Sequence, residues 1–489
     1  MVFLWLSSAC EETPCNVIQV DAYPYIYPDY KEVSIPAGIA PLNFCLMDSE
    51  KGKYPAQTER CYIIVKGSTG DSIVSNGVHG TDFGIEDWHK ITKQNIGQKL
   101  TVETYAKTNG SWIQYRTFNI NISPYPMPEY GLTYRKFAPG YILSTDIGIY
   151  QRDLHSFNEE AIVRNIEVRG HCVGCHTSNR SRQDQFSLHL RGKKAATILR
   201  HDGQQKWLKT ETDSTIGKCV YPSWHPSGRY IAYSLNQTHQ MFWNAGQHNI
   251  EVFDVKSDLI VVDTEHNTIL RSPLIEHTDQ WMETYPAFSA MGDKLYFSRA
   301  PQCEMPDEVG TLHYSLCAID FHANTGTYGD SVETILDGDS AQCSITFPRP
   351  SYDGRWLVYT RANNGYFSIH HDESDLWILD LASGETRPMD EVNSKRSDSF
   401  CNWNANSRWI VFASRRDDSQ YTRLYLTSID DKGQATKPVL LPQRDPWRYY
   451  HLSLLSYNTP DFIAAPVEFD VHEAYQHMDD AQRTPLTVQ

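Results

Sequence analysis

Short runs of β-branched and aromatic residues, alternating with polar ones and cut by turn residues, dominate the chain from about residue 20 to residue 125. Cys61-Tyr62-Ile63-Ile64-Val65, Leu100-Thr101-Val102-Glu103-Thr104-Tyr105 and the stretch 112–122 each read as a strand. Asn109-Gly110 between the last two is a two-residue hairpin signal of the type I′ kind, since both residue types accept positive φ. The spacing predicts a small β-sandwich-like domain over residues 20–127. Ser123-Pro124-Tyr125-Pro126-Met127-Pro128 ends it, because proline lacks the N–H and fixes φ.

Beyond that boundary the pattern repeats. Tyr221-Pro222-Ser223-Trp224-His225-Pro226-Ser227-Gly228-Arg229-Tyr230-Ile231-Ala232-Tyr233-Ser234 aligns without gaps with 285–298, 347–360 and 400–413. Each segment opens on an aromatic residue, turns at Gly228, Gly292, Gly354 or Ser407, and continues into a strand. A second element follows, in which Ser257-Asp258-Leu259-Ile260-Val261-Val262-Asp263 matches Ser374-Asp375-Leu376-Trp377-Ile378-Leu379-Asp380. Strand, tight turn, strand and an Asp-ended third strand make one blade of a β-propeller. Two more blades fit around Gln185-Phe186-Ser187-Leu188-His189-Leu190 and 134–153, with strands after Tyr449 closing the ring against the first. The prediction is therefore all-β: a leader and linker over 1–19, the sandwich-like domain, a six-bladed propeller over 128–470, and a polar tail over 471–489 that frays.

Composition narrows the functional classes. At 40% hydrophobic and 12% aromatic the chain can bury a core, and its net charge of −16 excludes a phosphate-backbone partner, so no nucleic acid is expected. No run of 18 apolar residues exists to span a bilayer as a helix. Eleven cysteines are many for a reducing compartment. The apolar stretch 1–6 followed by Ser7-Ser8-Ala9-Cys10 resembles the lipobox of bacterial lipoproteins, which implies a lipid on Cys10 and attachment to the outer membrane.

Cys172-Val173-Gly174-Cys175-His176 carries the one strong chemical motif. Two thiols three apart with an imidazole next are what attachment of a c-type haem requires, the thiols taking up the vinyl groups and His176 binding the iron. A local disulfide, two buried thiols or half of a zinc site compete with this reading, and zinc lacks a second Cys/His pair. A distal ligand would come from Met241 or His239 in the long connection before Ile250, while Arg169 and Arg191 suit haem propionates. His189 alternates with Leu188 and Leu190 and reads more simply as one face of a strand. His370-His371-Asp372-Glu373-Ser374-Asp375 reads as a hydrogen-bonded turn before a repeat strand, ahead of a cation site. The remaining cysteines, Cys15, Cys45, Cys61, Cys219, Cys303, Cys317, Cys343 and Cys401, are even in number and compatible with disulfides.

The Pro-Ser-Trp-His-Pro-Ser-Gly-Arg-Tyr-Ile-Ala-Tyr run from Pro222 and the Ser-Asp-Leu strand resemble the repeats of TolB-type propellers over roughly residues 130 to 465. With the early C-x-x-C-H and the closing Ser456-Tyr457-Asn458-Thr459-Pro460, the chain more narrowly resembles TolB-like envelope proteins of the Bacteroidetes. The resemblance implies an exported protein, and a broad loop-lined propeller face suits docking, so other outer-envelope proteins are the expected partners. Gly-x-Ser-x-Gly is absent and no carboxylate pair stands out by placement, so no enzyme is expected. The expected function is that of an exported propeller with one covalent haem c, in electron transfer or as a redox-active component of an envelope complex; the alternative is a cofactor-free scaffold with Cys172 and Cys175 joined as a disulfide.

Overall fold

The computed structural model describes residues 12–50, 52–138, 146–168, 172–191, 196–201, 203–210, 212, 215–242, 250–276, 279–477 and 483–489. It divides into two compact units. The first holds Met1–Pro126 with His155–Phe157 and Pro442–Ser453, and the second holds Met127–Leu154, Asn158–Leu441 and Leu454–Gln489.

In the first unit Leu100, Val102, Thr104 and Ala106 alternate inward along the strand Lys99–Thr108, as the period of two demands. This strand centres one mixed sheet. Arg60–Lys66 and then Ser72–Gly77 lie on one side, and Ser111–Gln114 and Phe118–Ile122 share the other edge. Asn109 and Gly110 have φ of 51° and 74°, the pair of left-handed residues the predicted hairpin calls for. The sandwich expectation is corrected. The described residues of this unit form one seven-stranded sheet, a two-stranded ladder and two helices, Pro446–Leu452 and Ile85–Gln94, the latter burying Trp88 and Ile91. Ile85, Trp88 and Ile91 have helical spacing, with Glu86 and Asp87 in the first turn and Lys93 in the last to match the helix dipole.

The second unit contains six sheets among its described residues, each with four antiparallel strands and two of them with a fifth, parallel strand. The first is built from both ends of the unit: Gly131–Phe137, Ile147–Asp153 and Glu159–Arg164 are completed by Ser456–Ile463, antiparallel to Gly131–Phe137. The other five start at Cys172–Asn179, Lys218–Trp224, Trp281–Phe288, Ser344–Pro350 and Asp398–Trp403. These five strands and Ser456–Ile463 contact one another in succession, and the succession closes, the last against the first. Hydrophobic cores lie between neighbouring sheets. One joins Leu199 and Leu208 to Trp224, Ile231 and Ile260, and the next joins Tyr230 and Leu259 to Phe288, Leu295 and Phe321. Full burial of each such side chain contributes about 1.5–3 kcal/mol.

The repeated turns explain the repeated glycines. Gly228, Gly292 and Gly354 have φ of 79°, 78° and 74°, and Ser407 takes the same left-handed conformation at 59°. Each turn packs on the preceding sheet: Gly228 on Gln185, Gly292 on His225 and Gly354 on Ala290. The series finishes where Ser407 Oγ accepts the Asp353 N–H and Glu129 accepts the Ala405 N–H.

Among its described residues, 471–477 and 483–489, the tail does not fray. Val471–His477 is helical and buries Ala474 in the core between the first two sheets. Thr484–Pro485 and Thr487–Val488 then pair in parallel with Leu208–Lys209 and Thr268–Ile269, placing Leu486 in the adjoining core. A polar tail is ordered here because it satisfies the outer edges of two sheets.

Candidate functional site

Every innermost strand of the second unit carries a two-residue β-bulge at the same place. The bulged pairs are Gly174-Cys175, Tyr221-Pro222, Tyr285-Pro286, Phe347-Pro348, Phe400-Cys401 and Thr459-Pro460. In five of them the first residue has positive φ, from 44° at Thr459 to 54° at Tyr285. Bulges re-aim side chains, and here they turn four rings toward one another. Tyr221 meets Tyr285 with ring centroids 4.4 Å apart, Tyr285 meets Phe347 at 5.2 Å, and Phe347 meets Phe400 at 4.8 Å. Gly174 and Thr459 carry no ring, and a cavity of about 20 Å³ lies beside Thr459, lined also by Cys175, His176, Cys401 and Asp461.

This register accounts for the C-x-x-C-H motif. Cys175 occupies the bulge position held elsewhere by Pro222, Pro286, Pro348, Cys401 and Pro460, so the motif is one strand of the repeat. His176 pairs with Leu188, lies 6.0 Å from the Phe186 ring and is 5% exposed. Burial pushes its pKa down to about 4, so it stays neutral. The disposition does not fit haem. The imidazole is packed in a core, and the adjoining space is far below the about 300–1,000 Å³ of a small-ligand pocket. Neither Met241 nor His239 lines that space: His239 stacks on Phe253 at 5.9 Å on an exposed part of the hairpin Tyr230–Phe242/Ile250–Asp263. Cys172 and Cys175 are not bridged in this structure. Cys172 Sγ accepts from Arg135 at 3.5 Å and Cys175 Sγ from Arg191 at 3.9 Å. The other described cysteines are free as well. His189, 1% exposed, bonds Thr197 Oγ1 within its sheet. Cys10 and Arg169 lie outside the described residues.

On the C-terminal side of the bulges the inner strands present polar groups. Asp461 accepts from the Ser178 N–H at 2.6 Å and from Asn402 Nδ2 at 2.7 Å, and burial raises its pKa to about 7 despite these donors and the Arg349 charge. Arg349 stacks on Phe347 at 3.8 Å, and burial lowers its pKa. Arg180 covers the Tyr352 ring at 5.4 Å. Between these residues and Trp224 lies a second cavity of about 50 Å³.

On the other side the long hairpin of the third sheet, Tyr230–Phe242 with Ile250–Asp263, acts as a strap where the sequence predicts a connection. Its Asp254 accepts from Thr238 Oγ1 at 2.7 Å and from the Tyr366 hydroxyl at 3.2 Å, and burial raises its pKa to about 6. Its Glu251 meets His371 Nε2 at 3.2 Å, two sheets away, while Glu373 meets His371 Nδ1 at 3.3 Å. Burial works against the charge on His371, but the two carboxylates overcome it and hold the pKa at about 9. The stretch 370–375 is thus an internal ion-pair site. Among the described residues, Asp263, Glu265 and His266 are grouped closely enough for a cation, yet Arg229 already occupies Asp263 at 2.7 Å.

No described helix is long and apolar enough to cross a membrane. No protein-family model matches the chain. No curated protein sequence matches it either. Among solved structures it is similar to TolB from Acinetobacter baumannii, at 12% identity and a TM-score of 0.44 over 78% of this chain and 85% of that one. It is also similar to a periplasmic gluconolactonase from Pseudomonas aeruginosa, at 15% identity and a TM-score of 0.34 over 68% of this chain and 100% of that one. A third, the β-propeller domain of the Trilobed protease from Pyrococcus furiosus, gives 9% identity and a TM-score of 0.34 over 72% of this chain and 96% of that one.

Proposed function

We propose that this chain is an exported, six-bladed TolB-type propeller that works as a cofactor-free scaffold for binding other envelope proteins, held at the outer membrane through Cys10. The observation that carries the reading is the filled axis. Tyr221, Tyr285, Phe347 and Phe400 occupy the centre of the ring, with cavities of about 20 and 50 Å³ beside them, which suits docking on the loop-bearing faces better than turnover inside. The side bearing Arg180 and Tyr352 offers an amphipathic anchor of the type that dominates protein interfaces. A chain of net charge −16 favours basic or neutral partner surfaces, with salt-dependent association. Mild solubilisation of native membranes followed by size-exclusion chromatography tests this. A complex at low salt that dissociates at roughly 0.5 M salt, and that Tyr352→Ala weakens, is expected. A monomer under all conditions, with glycan or peptide hydrolysis abolished by one Asp or Glu substitution, would replace the scaffold by an enzyme.

A further inference from the structure

The first unit leaves one sheet edge open beside a groove. Ser72–Gly77 is the terminal strand of its sheet, paired only through Arg60–Lys66 among the described residues. Gly67 N–H donates to Asp71 O in the same register, so residues 73, 75 and 77 make the narrow hydrogen-bonded pairs with the neighbouring strand. The main-chain N–H and C=O groups of Ser72, Val74 and Asn76 therefore point off the edge.

Beside the strand lies a cavity of about 1130 Å³, lined by Val74, Ser75, Asn76 and Gly77 and by the segment Arg444–Arg448, which includes the start of the short helix Pro446–Leu452. That volume exceeds the about 300–1,000 Å³ of ordinary small-ligand pockets. A six-residue strand runs for about 20 Å, the length of a short peptide in β conformation. The lining is amphipathic. Val74 is 48% exposed, and Asn76 Oδ1 is buried without a hydrogen-bond partner among the described residues. Trp447 is fixed by its Nε1–H donating to Lys53 O and by stacking on His451 at 5.2 Å. Arg444 and Arg448 have no carboxylate partner among the described residues, while Asp445 is committed to the Arg448 N–H.

We infer that this groove binds an extended segment of a partner polypeptide by β-strand addition to Ser72–Gly77, with an acidic side chain of that segment meeting Arg444 and Arg448. The open donors and acceptors supply affinity, the apolar wall takes alternate side chains, and the guanidinium pair selects charge. This site is independent of the ring and of the scaffold reading.

The test uses the full chain and fluorescein-labelled eight-residue peptides in which valine alternates with glutamate or with lysine, read by fluorescence anisotropy. Saturable binding of the glutamate peptide is expected. N-methylation of its alternate amides should weaken binding about tenfold or more, as loss of two or three main-chain hydrogen bonds implies. The Val74→Pro variant should show a similar loss, since it removes one outward N–H but no ladder bond, and Arg444→Ala with Arg448→Ala should erase the preference over the lysine peptide. No saturation up to about 1 mM, indifference to N-methylation, or equal binding of both peptides by the unaltered chain overturns the inference. The N-methylated peptide keeps the test decisive even where a variant fails to fold.

Discussion

Asp461 accepts the main-chain N–H of Ser178 at 2.6 Å, a bond between positions 283 apart in sequence that ties the innermost strand of the closing sheet to that of the next. Its folded pKa of about 7 lies above the 3.8 of an unperturbed carboxyl, so the folded state retains this proton to higher pH. The group's contribution to stability therefore falls as pH rises from about 4 to about 7, by up to the order of 4 kcal/mol. Asp461→Asn should remove that slope, so that the variant gains on the unaltered chain between pH 4.5 and pH 8. Urea unfolding curves that stay parallel across this range would refute the assignment.

His371 behaves in the opposite sense. Held at about 9 between Glu251 and Glu373, it is charged in the folded state and titrates near 6.5 when unfolded. Its stabilisation is complete below about pH 6.5 and is lost as pH rises through 9, so His371→Gln should cost on the order of 2–3 kcal/mol at pH 6 and little at pH 10. Imidazole resonances followed by NMR across that range read the same titration directly.

The turn glycines should differ in sensitivity. A Cβ on Gly354 would sit 3.2 Å from Ala290 Cβ, whereas one on Gly292 would fall 2.0 Å from His225 Nε2 and displace the hydrogen bond from that ring to Gly292 O. Gly354→Ala is expected to cost about 1–2 kcal/mol for its left-handed backbone, and Gly292→Ala about 2–4 kcal/mol. Equal losses in chemical unfolding would show that the contact with His225 is unimportant.

The cysteines give a direct reading of the motif. Protein from its native envelope, denatured without reductant and alkylated, should carry the label on both Cys172 and Cys175 and show no Soret band. An unmodified pair, whether bridged or bound to a porphyrin, would reverse the account of the C-x-x-C-H strand.

The repeat was legible because its signal is local. Aromatic residue, turn glycine and β-branched strand recur at fixed spacing from Tyr221 to Ala413, and the structure places them in equivalent bulges and turns. At residues 172–176 the same rule has less to read. There Gly174 replaces the aromatic residue, because a Cβ would crowd His189 O at 3.1 Å, and Cys175 replaces proline. With both markers gone, the strand was visible only as two thiols and a histidine. The helix Ile85–Gln94 was overlooked amid strand-like neighbours although Ile85, Trp88 and Ile91 keep its period. The open edge and its groove could not be read at all, since Val74 and Trp447 are brought together only by the fold.

Ser456–Ile463 has one further effect, on the order of events during synthesis. The strand Gly131–Phe137 leaves the ribosome more than three hundred residues before its partner, so its inner edge stays bare while the five other sheets are translated. The nascent chain must hold an unpaired edge in solution for all of that time, the condition in which strands recruit the wrong neighbour. Until the closing strand arrives that edge is open to mispairing, and a circular permutant that starts within 337–343 would exchange that long wait for a shorter one.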